Sequence, residues 1–61
     1  MAIETRVAQK DKLFALLEVK KAYEEAGIEI LPAFYQAISR AKAVMDAEDI
    51  AYVEKQIEQG K

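Results

Sequence analysis

The run Leu13-Phe14-Ala15-Leu16-Leu17-Glu18-Val19 sets the hardest condition on how this chain folds. Residues of an α-helix advance by about 100° each, so Phe14 and Leu17 point with Ile3 and Val7, whereas Leu13 and Leu16 point further round, with Tyr23. One packing partner cannot cover both stripes. The run therefore belongs to a helix with neighbours on two sides, supplied by its own chain or by a second copy.

Length sharpens the condition. A 61-residue chain makes one domain, residues 1–61, and buries a smaller share of its surface than a typical domain does. The usual reinforcements are missing: there is no cysteine for a disulfide, and without histidine the common zinc ligand sets cannot be built. Helix packing and self-association are what remain.

The first helix is expected over about residues 3–26. Thr5 or an earlier residue is its cap, with Asp11 as a competing start that would make residues 1–10 a separate segment. Lys10 and Lys21 fall on the Phe14 side, where their stems can cover apolar surface while the ammonium groups stay in water. Ala26-Gly27 marks the end, with glycine in the left-handed position and Ile28 turned back towards Tyr23. Pro32 disfavours helix at Leu31 and suits the first turn of a new one. A short link makes the second helix, about 32–45, an antiparallel neighbour of the first, with Phe34, Ile38, Ala41 and Met45 on its inner stripe.

After Met45 the apolar phase shifts. Ile50, Val53 and Ile57 form a stripe well over 90° round from the previous one, and Asp46-Ala47-Glu48-Asp49 has the acids of a helix start. A third helix over about 47–59 is expected, the alternative being one continuous helix from Pro32 to Gln59. Gly60 and Lys61 read as a frayed end. The fold class is all-α, an antiparallel hairpin with a third helix or helical extension.

The charges argue against several functions. Net charge is -2, and residues 46–61 hold five acids against Lys55 and Lys61. Phosphate backbones need a concentrated basic face, so a nucleic-acid-binding regulator is disfavoured. No apolar run approaches membrane-spanning length, and Met1–Arg6 lacks the pattern of a signal peptide, so a cytoplasmic protein is expected.

Catalysis is not expected. Histidine and cysteine are absent, and Ser39, the only serine, has no base in fixed relation to it. The acids Glu24-Glu25, Asp46-Glu48-Asp49 and Glu54 with Glu58 lack metal-ligand spacing and read as helix-start and surface charge. With glycine only at 27 and 60, no phosphate-cradling loop can form. No catalytic residue, metal or cofactor is assigned.

What is left is a surface. Leu13, Leu16, Val19 and Tyr23 are expected to meet a partner protein or a second copy, making the chain a small interaction module and a homo-oligomer. The rival is a third segment folding back over the Leu13 and Leu16 side of its own chain. A second functional class places a small anionic ligand at a subunit interface, held by Tyr35, Arg40 and Lys42. Tyr35 and Tyr52 otherwise read as tyrosines at the edge of buried stripes.

Overall fold

The computed structural model describes residues 3–59, which form three helices: α1 (Ile3–Ala26), α2 (Pro32–Ala43) and α3 (Ala47–Gln59). α1 runs without interruption, so Asp11 and Thr5 lie inside it and neither is a cap. The frayed end expected at Gly60 and Lys61 lies outside the described residues.

α1 ends as its sequence requires. Gly27 takes φ 72°, its N–H donates to the Glu24 carbonyl at 3.1 Å, and the Ile28 N–H donates to the Tyr23 carbonyl at 2.9 Å. These are the two bonds of a Schellman motif, which satisfy carbonyls left over at a helix end. α2 opens with Pro32 in its first turn, behind an extended Leu31 at φ -68° and ψ 147°. The proline forces that extension and then fits the helix it begins.

α2 stops at Ala43, two residues short of Met45. The Met45 N–H bonds to the Lys42 carbonyl at 3.0 Å, tightening the last turn, and the Asp46 carbonyl accepts the first bond of α3, from Ile50 at 3.1 Å. The break between 43 and 47 is real, and the continuous helix does not form in this structure.

α1 is the spine. α2 returns antiparallel along it and α3 runs parallel to it, both packing on α1 and only weakly on each other. At about 1.5 Å per residue α1 is about 36 Å long, which accounts for the 38 Å longest dimension of a body only 16 Å thick. The enclosed core is correspondingly small: Leu13, Ile38, Ala41 and Val53, flanked by Phe14, Leu16, Leu17, Phe34, Met45 and Ile50.

Leu13 corrects an expectation. It is 0% exposed and sits at the centre of the core against all three helices' residues, so it is unavailable to any partner of the folded chain. α3 folds back and covers that side, bringing Val53 into the core beside Leu13 and packing Ile50 against it. Leu16 is half-buried against the same core.

Candidate functional site

The side-chain chemistry concentrates on the seam between α1 and α3. Positions 6, 10, 13, 17 and 21 of α1 recur every three or four residues and share one face, combining Leu13 and Leu17 with three cations. At the N-terminal end of the seam Arg6 grips Asp49: its Nη2 donates to Oδ1 at 3.0 Å and to Oδ2 at 3.1 Å, and its Nε donates to Oδ2 at 3.2 Å. A forked guanidinium on a carboxylate fixes direction as well as distance. The Arg6 hydrogen bond and charge hold the Asp49 carboxyl below the usual carboxylate range, against the opposing effect of burial, and Lys10 adds to the lowering.

Further along, Lys10 places its ammonium 5.3 Å from the centre of the Tyr52 ring, within reach of a cation–π attraction. At the far end the Lys21 Nζ donates to the Ile57 carbonyl at 3.1 Å. The stems of Lys10 and Lys21 do lie over the apolar seam, but their heads meet α3 rather than water alone. α2 joins through Lys42, whose Nζ donates to Glu54 at 3.3 Å.

The residues assigned to ligand contact do not converge within one chain. Tyr35 and Lys42 share a face of α2 but stand about 10 Å apart along it, and Arg40 points about 140° away from Tyr35. Lys42 is engaged by Glu54, while Arg40 borders a shallow hollow with Gln9, Lys12, Ala41 and Val44. Of the proposed partner surface, Val19 and Tyr23 are exposed, and Leu13 and Leu16 face inward.

A cleft of about 380 Å³ opens between the C-terminal halves of α1 and α3, lined by Leu17, Lys20, Lys21, Glu24, Glu54, Ile57 and Glu58. Apart from Glu58 its charges are engaged: Lys20 pairs with Glu24 at 3.2 Å, Lys21 with the Ile57 carbonyl and Glu54 with Lys42. Both of its lysines are engaged within the chain, and among the described residues no group of acids is placed to hold a metal ion.

No family model, curated protein or solved structure matches this chain. The seam itself escaped sequence reasoning, because Arg6 and Asp49 lie 43 positions apart. A signal did exist: Arg6 and Lys10 sit on the same helical face as Leu13 and Leu17, where solvent-exposed cations are out of place unless something polar covers them. Asp49, on the Val53 side of α3, is that cover.

Proposed function

We propose that this chain is a small helical interaction module, an adaptor, inhibitor or accessory subunit that associates with itself and presents helix faces to a partner protein. One observation supports the reading above others. Among the described residues four apolar side chains are buried, whereas nine large ones, from Ile3 to Tyr52, remain exposed. Single exposed apolar residues are ordinary, but five of these nine fall between Val19 and Tyr35, around the α1–α2 turn. They are Val19, Tyr23, Ile28, Leu31 and Tyr35. Tyrosine and apolar side chains are what the centre of a protein interface contains, with charges such as the exposed Glu24, Glu25 and Glu29 at its rim.

Association should raise the stability of so small a fold, and a melting temperature that climbs with protein concentration is the expected outcome. Tyr23→Glu and Leu31→Glu should weaken association while leaving the helix content intact. A single species of 6.9 kDa in sedimentation equilibrium up to millimolar concentration, with a constant melting temperature and no protein recovered by affinity capture, sinks the proposal.

A further inference from the structure

Between α2 and α3 stand only Val44, Met45 and Asp46. None is glycine or proline and none has a positive φ. Val44, at φ -100° and ψ 6°, is a modest rotation from helix. Ala43, Met45 and Ala47 are good helix formers, and Val44 and Asp46 are only mildly unfavourable in a helix interior. If this hinge straightens, residues 32–59 become one helix. The Ala43, Val44 and Met45 carbonyls then pair with the N–H groups of Ala47, Glu48 and Asp49, the first-turn donors of α3 that have no acceptor within their own helix in the bent chain, while the Ile50 N–H keeps the Asp46 carbonyl it already has.

Straightening also aligns a face that the bend divides. Ala33, Ala37, Arg40, Val44, Ala47 and Ala51 alternate at spacings of four and three, the rhythm of a helix–helix contact. Its four alanines let two helices approach on either side of Val44, with the Arg40 side chain extending out along the edge of the contact. Val44, at the centre, is 56% exposed in the bent chain.

We infer that two copies of this chain exchange α3. The hinge straightens, each α3 docks on the α1 of the other copy, and the two long helices cross at Val44 to give a closed two-fold dimer. The occupant of the α1 groove is defined by what already lies in it: Arg6 meets Asp49, Lys10 meets Tyr52 and Lys21 meets the Ile57 carbonyl. Exchange preserves every one of those contacts, since α3 is anchored to α1 and only weakly to α2. The crossing is its new contact. This inference rests on the self-association proposed above.

The absence of cysteine allows a direct test. Lys10→Cys with Tyr52→Cys places a thiol on each side of the α1–α3 seam, to be joined by a short bis-maleimide. In the fraction that sediments as a dimer, the expected product is two chains linked covalently. A dimer whose reporter pair links within one chain overturns the exchange alone, and a single-chain species at every concentration overturns the self-association as well. Ala47→Pro supplies a second test. Proline suits the first position of α3 in the bent chain but breaks a helix running through it. The variant should retain helical circular dichroism and dimerise roughly tenfold more weakly or worse; unchanged dimerisation overturns the proposal.

Discussion

At Gly27 the chain turns through φ 72°, a conformation that only glycine enters freely, and a Cβ placed there meets no atom within 4 Å. The cost of Gly27→Ala is therefore backbone strain without a clash, about 1 kcal/mol, measurable as a lower urea midpoint at an unchanged slope. Asp49 behaves differently because its environment is built by another helix. With its carboxyl held low by Arg6, the stability it contributes is complete above the ordinary aspartate range of about 3.9. That contribution is lost as pH falls through the lower native value. In an acid titration followed by NMR, Asp49 should protonate at a lower pH than a free aspartate, and Arg6→Met should move it upward; an Asp49 that titrates like a free side chain contradicts the pair. The two residues also mark what a sequence can reveal. Gly27 answers to its immediate neighbours and was legible, whereas Asp49 reads locally as a helix-start acid, and its partner is set by packing.

The helix boundaries were legible for the same local reason: Gly27, Pro32 and the acids after Met45 each act within one turn. Which stripe of α1 each neighbour would take was not, because Leu13 and Leu16 look alike to any rule based on spacing. Only the packing of α3 decides that Leu13 goes to the centre. α3 itself shows how one element completes another. It carries Glu48 and Asp49 in its first turn but no basic residue in its last, and Lys21 of α1 supplies the missing cation at its C-terminal carbonyls. Lys21→Met keeps the apolar stem and removes the donor. It should cost about 1 kcal/mol and speed amide exchange in the last turn of α3 while leaving α2 unchanged; equal exchange across both helices would place the effect elsewhere.

A molecule 16 Å thick is little more than one helix diameter deep, about 10–12 Å, so nearly every side chain lies close to solvent and few can be enclosed. Leu13 then carries a disproportionate share of the packing. Leu13→Ala should cost about 2–5 kcal/mol, against a total of roughly 3–9 kcal/mol for a chain of this length. Loss of the cooperative thermal transition is the expected readout, and a shift of only a few degrees would show that the core lies elsewhere. The spine arrangement also orders events in time. α2 reaches α1 through a link of five residues, Gly27 to Leu31, whereas the contacts of α3 with α1 span 36 and 43 positions. Closing the longer loops costs more chain entropy, so the hairpin is favoured to assemble before α3 arrives. The Arg6 fork and the Val53 side of the Leu13 seat consequently close after the hairpin half of that seat, made with Ile38 and Ala41, is in place.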